Sequence, residues 1–115
     1  MEKIIVNKIE NTLLIKFLDT KIEFSTTSKL RSKLFELAQK GNQRFIIDLT
    51  NIDRIDSSGI GVFIAFWKMF GNDARIVFCH LQPHIKNVFN AASLLKIFPI
   101  AIDEQEAIGM LASHV

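Results

Sequence analysis

The sequence predicts a single α/β domain: a central, mostly parallel sheet of about five strands, an antiparallel hairpin at its amino-terminal edge, and about four to five helices. Three observations lead there. After two opening strand-like runs, apolar runs and amphipathic stretches alternate regularly, and strands joined through helices run parallel by right-handed crossovers. The run Phe45 to Leu49 is apolar except for Asp48, as a strand covered on both faces should be. Finally, 115 residues of which 49% are hydrophobic can bury one core, so residues 1–115 read as one domain with no linker, internal repeat or low-complexity tract.

Taken in order, Lys3 to Lys8 and Thr12 to Leu18 read as strands joined by a turn at Glu10-Asn11. A polar segment, Asp19 to Ser28, leads into a helix with Leu30, Leu34, Leu37 and Ala38 on one face. Gly41 ends that helix at its C′ position. The strand Phe45 to Leu49 and a helix from Ser58 to Phe70 follow, then a turn at Gly71-Asn72-Asp73 and a strand from Arg75 to Cys79. Pro83 opens a helix to Ala91, at the first-turn position where its missing N–H costs nothing. Ser93-Leu94-Leu95 connects to a last strand, Ile97 to Ile102, which Pro99 makes either an edge strand or an irregular one. Acidic residues from Asp103 to Glu106 start a final helix reaching about Ala112.

Composition excludes several classes. A formal net charge of +2, with the basic residues scattered, argues against nucleic acid as a partner. No apolar run approaches the ~18 residues of a membrane span, and the charged start Met1-Glu2-Lys3 is not a secretory signal, so a cytoplasmic protein without membrane insertion is expected. The single cysteine, Cys79, has no disulfide partner and reads as a buried structural thiol. His80 and His84 are separated by the turn before Pro83, so neither a metal site nor a cofactor is expected.

The residues with chemical potential lie in Asp56-Ser57-Ser58-Gly59-Ile60, where a polar bend after a strand opens a helix. Three readings are open there. A serine at a helix start is an ordinary N-cap, worth about 1 kcal/mol. It is a nucleophile if a base is near, yet the run is not G-x-S-x-G and spacing places no His–acid pair beside it. It is also a place for a phosphate, because the first N–H groups lack intrahelical partners and the helix dipole is positive there.

The run Ile46-Ile47-Asp48-Leu49, followed by Ile55-Asp56-Ser57-Ser58-Gly59-Ile60-Gly61-Val62, resembles the signature of STAS domains of the anti-sigma factor antagonist family. The similarity continues through Gly71, Arg75 to Cys79, Gln82 to Phe89 and Leu94 to Phe98, and is weaker before residue 44. The resemblance implies a STAS-type fold and a non-enzymatic interaction module. It makes Ser57, directly after the loop aspartate, the acceptor of a phosphoryl group from an ATP-dependent serine kinase that is also an anti-sigma factor. The unphosphorylated chain would bind that partner and free its sigma factor; phosphorylation would end the binding, and a phosphoserine phosphatase would restore it. Asp56, Ser58, Gly59 and Ile60 would then form the partner-binding loop. The family's Gly-Glu-Leu-Asp-like turn is represented by Thr20-Lys21-Ile22-Glu23, without the glycine, with Glu for Asp and with Phe24 next. Glu23 and Phe24 are therefore further partner-binding candidates on a divergent turn.

The alternative within the same resemblance is a soluble subunit docking onto a lipid-transport complex or a stress-signalling scaffold, with no phosphorylation cycle. Phe63, Phe66, Trp67 and Phe70 share one helix and are too widely spread for one core stripe, so an exposed aromatic docking patch is a further expectation.

Overall fold

The computed structural model describes residues 4–70 and 75–112. A hairpin of β1 (Ile4–Ile9) and β2 (Thr12–Phe17) turns at Glu10, whose φ of 56° is left-handed. A two-residue strand β3 (Lys21–Ile22) precedes α1 (Phe24–Gln39). Then come β4 (Arg44–Asp48), another two-residue strand β5 (Arg54–Ile55), α2 (Ser57–Lys68), β6 (Arg75–Cys79) and α3 (Pro83–Ala91). A 3-10 turn at Leu94–Lys96, β7 (Ile100–Ala101) and α4 (Glu104–Ala112) complete the described chain.

The main sheet has the order β1-β2-β4-β6-β7 and is parallel except for the β1–β2 hairpin. One face carries Ile15, Phe45, Ile47, Ile76 and Phe78 into a large core with α1, α2 and α3. The other carries Leu14, Ile46, Val77 and Cys79 into a smaller core closed by Ala107 and Leu111 of α4. Both faces of β4 are thus covered, as its continuous apolar character requires.

Three expectations are corrected. Asp19 to Ser28 is not one polar lead-in: β3 forms within it and α1 begins at Phe24, because Ile22 (1% exposed) pairs with Ile55 of β5 and is buried. The last strand is only Ile100–Ala101; Leu94 and Phe98 turn into the core ahead of it, and Ser93, at a left-handed φ of 61°, sets the bend. The expected aromatic patch on α2 is absent. Phe63 and Phe66 are fully buried, and Trp67 and Phe70 pack partly buried against Phe98 and Phe45 through edge and tilted ring contacts. Gly41 does close α1, with φ 93° and its N–H donating to the Ala38 carbonyl. Pro83 is at the start of α3. The turn expected at residues 71–73, like Lys3, lies outside the described residues.

Candidate functional site

The Ser57 loop is built where the two short strands meet the starts of two helices. β3 and β5 pair in parallel, Lys21 with Arg54 and Ile22 with Ile55. The Asp53 N–H donates to the Thr20 carbonyl (2.7 Å) and the Asp56 N–H to the Ile22 carbonyl (3.1 Å), extending the pairing on both sides. Upstream the loop is held by Asn51 Nδ2 donating to the Phe17 carbonyl (2.9 Å) and by the buried side chain of Ile52. The His84 ring, on α3, meets the Asp53 carbonyl. The result is a short polar segment with its backbone fixed from several sides.

One carboxylate organises its tip. Asp56, the N-cap of α2, accepts at Oδ1 from the N–H groups of Ser58 (3.0 Å) and Gly59 (3.1 Å) and from the Ser58 hydroxyl. Its Oδ2 accepts from the Phe24 N–H at 2.9 Å, so the same side chain binds the first turns of α2 and α1. The Ser58 hydroxyl, chiefly, with the three N–H groups, holds the Asp56 carboxyl below its ordinary value, against a smaller opposing effect of burial. The cap is therefore the aspartate and not a serine, a correction to the simplest reading of the local sequence.

Ser57 is the first residue of α2 and is exposed. Its hydroxyl has no hydrogen-bond partner among the described residues, whereas that of Ser58 is committed to Asp56. Ile60 is half-buried and packs on the main core. Gly59 is buried and offers a partner no surface. A Cβ there would lie 2.8 Å from Ile22 Cγ2 and 3.2 Å from the Ile22 carbonyl, so glycine is what lets β3 approach α2. Gly59 therefore has a packing role in the loop. Glu23 is the half-buried N-cap of α1, its N–H donating to Thr26 Oγ1 at 3.4 Å. Phe24, 80% exposed, is the most exposed large hydrophobic residue among those described.

The structure thus brings Glu23 and Phe24 next to Asp56 and Ser57 across 32 residues of sequence. Local pattern alone did not disclose the strand pair beneath them. The signal was Ile22, an apolar residue isolated in a polar stretch. Among the described residues no histidine hydrogen-bonds to either serine.

Comparison with known proteins agrees with this geometry. The STAS domain family model matches residues 3–107. The chain is 30% identical over 106 residues to a Bordetella bronchiseptica protein named as an anti-sigma factor antagonist, BtrV, covering 91% of this chain and 90% of that one. Among solved structures, an anti-sigma factor antagonist from Mycobacterium paratuberculosis superposes with a TM-score of 0.86 at 15% identity, covering 96% of this chain and 93% of that chain. The Bacillus cell fate determinant SpoIIAA in its phosphorylated form gives a TM-score of 0.71 at 20% identity, covering 95% of this chain and 99% of that chain. With a family match across nearly its whole length, the chain belongs to the STAS domain family.

Proposed function

We propose that this chain is an anti-sigma factor antagonist that binds an ATP-dependent kinase/anti-sigma factor through the Ser57 loop and is released when Ser57 is phosphorylated. The observation that carries the reading is the Ser57 hydroxyl: exposed, without a partner, and set on a backbone fixed by Asp56 and the β3–β5 pair. A kinase needs an acceptor oxygen it can approach and position. Nucleotide, Mg²⁺ and catalytic base come from the partner, since phosphoryl transfer is governed by positioning and electrostatics. The transferred group forms a bond from Ser57 Oγ to the γ-phosphorus as the bond to ADP breaks and the hydroxyl proton passes to the partner's base.

The geometry is in keeping with phosphate as a release signal. The Asp56 carboxylate already holds the free N–H groups of Ser58 and Gly59, so the helix start has little left to offer a second anion. The phosphate, carrying roughly −1.5 to −2 charges, would stand outward beside a carboxylate. In an interface fitted to a neutral hydroxyl, that charge must be desolvated next to Asp56. A mismatch of about 3 kcal/mol lowers affinity roughly a hundredfold, which suffices for a switch without refolding. Phe24 supplies an aromatic anchor on the same surface, fixed to the same aspartate.

The STAS family match and the phosphorylated state of a structural neighbour support this reading. Among the described residues no helix is long and apolar enough to cross a membrane. Incubation with ATP and the kinase-like regulators of the host, followed by mass spectrometry of the Ser57 peptide, is the test. Phosphate on Ser57 and none on Ser58 is the expected result; phosphate on Ser58 alone, or on neither serine, removes Ser57 from the mechanism.

A further inference from the structure

A second constellation lies on the α4 face of the sheet. At the carboxyl ends of the strands, Lys16, Asp48, Cys79 and Ala101 are register partners on β2, β4, β6 and β7 and so form one row across the sheet. Asp48 and Cys79 are buried, at 1% and 0% exposure. The Cys79 Sγ has no hydrogen-bond partner among the described residues. His80 follows with a left-handed φ of 59°. A strand continuing regularly would send its side chain to the face opposite Cys79. The left-handed residue instead keeps its ring on the same side: ligand atoms of Asp48, Cys79 and His80 all lie within 4.8 Å of one another. Glu104, the first residue of α4, lies close enough to Asp48 for the two carboxyl groups to influence each other.

We propose that Asp48, Cys79 and His80 form a three-residue binding site for a divalent cation of the zinc type, with the fourth position open to water. The donor set decides the cation. A thiolate and an imidazole with a carboxylate suit a borderline-soft, four-coordinate ion, whereas Mg²⁺ and Ca²⁺ prefer oxygen alone. Bonds of ~2.0–2.3 Å place neighbouring tetrahedral ligand atoms roughly 3.5 Å apart, so the cluster must contract by about 1 Å. His80, in the loop after β6, is the one of the three outside the strand ladder. A cavity of about 270 Å³, lined by His80, Leu81, Lys86, Ile100, Ala101 and Ile102, reaches the chain and register neighbours of Cys79 and provides the approach.

The surrounding charges suit a cation: the carboxylates of Asp48, Glu104 and Asp103 act on the Cys79 position, with the Lys16 ammonium opposing them. The cation takes the place of the thiol proton, which leaves to solvent as the S–metal bond forms. A bound ion would tie the carboxyl ends of β4 and β6 together. The site is on the opposite face of the sheet from the core of α1 and α2 and does not depend on the phosphorylation reading.

Cobalt(II) titration of the full chain tests it, because a thiolate ligand gives a charge-transfer absorption band that oxygen and nitrogen ligands do not. The expected result is a band saturating at one cobalt per chain, displaced by zinc and lost in Cys79→Ser. His80→Gly keeps the fold testable, since glycine readily adopts the left-handed backbone; its metal-free melting temperature should match or exceed that of the wild type. Its cobalt affinity should fall at least tenfold. No thiolate band on the folded wild-type chain overturns the proposal, as does a band whose affinity is unchanged in His80→Gly.

Discussion

Asp48 and Asp56 are built on one local pattern and end in opposite situations. Each follows strand residues and accepts, at Oδ1, from the N–H and the hydroxyl of the residue two positions on: Thr50 in one case, Ser58 in the other. The residue between differs. Leu49 is fully buried, so the first turn is a plug in the sheet; Ser57 is exposed, so the second turn presents a hydroxyl. Surroundings widen the contrast. Asp48 faces Glu104, Cys79 and His80 in the smaller core, while Asp56 reaches out to Phe24 and starts a helix. The aspartate–hydroxyl pattern makes a rigid turn in both places, and tertiary position decides what the turn is for.

The sharpest way to break the Asp56 turn is through the glycine beneath it. Gly59→Ala puts a methyl group at 2.8 Å from Ile22 Cγ2 and 3.2 Å from a backbone carbonyl, and should destabilise the protein by about 1–3 kcal/mol in denaturant unfolding. Asp56→Ala removes the cap of α2 and the tie to Phe24 together, for a loss of about 1–2 kcal/mol, with faster amide exchange at Ser58, Gly59 and Phe24. In the opposite direction, Gly61→Ala, two residues further on with nothing within 4 Å, should add roughly 0.5–1 kcal/mol. The two glycines of one helix thus separate packing from propensity.

Acid provides a graded test of the same carboxylate. The folded-state value of Asp56 lies below the ordinary 3.8, so its contribution is complete above that pH and is lost as pH falls through the lower, folded value. The difference in melting temperature between wild type and Asp56→Asn should therefore narrow on acidification below about 4. A gap independent of pH would mean that the charge of Asp56 contributes nothing. Smallest of all, Ser57→Ala and Ser57→Asp should each stay within about 0.5 kcal/mol of wild-type stability, since the side chain is exposed and has no partner. A larger loss would make Ser57 a structural residue like Ser58.

The fold was readable wherever an element is long and periodic. The face of α1 through Leu30, Leu34 and Leu37, the apolar β4 and the Pro83 start of α3 were all evident, because burial writes itself as spacing. The failures came where structure depends on a distant partner. β3 and β5 have two residues each and exist because they pair with each other, and α1 begins at Phe24 with its N–H held by an aspartate 32 positions away. β7 was overlong in prediction because Ile97 and Phe98 look like strand residues, yet they turn into the core after Ser93. The serine loop is visible in its own residues, but its cap reads as a serine, since Asp56, Ser57 and Ser58 are all good capping types and only coordinates tell which accepts. The Asp48–Cys79 neighbourhood required the β4–β6 register, which no spacing along the chain encodes.

Calorimetric titration of the proposed kinase/anti-sigma factor partner with wild-type, Ser57→Ala and Ser57→Asp chains, in the presence of nucleotide, tests the proposed Ser57 gate most directly. Ser57→Ala should bind as tightly as unphosphorylated wild type and stay bound through repeated ATP addition, while Ser57→Asp should bind roughly a hundredfold more weakly, a difference of about 3 kcal/mol. Equal affinities for all three chains would contradict the account, because the charge at this one hydroxyl would then control nothing.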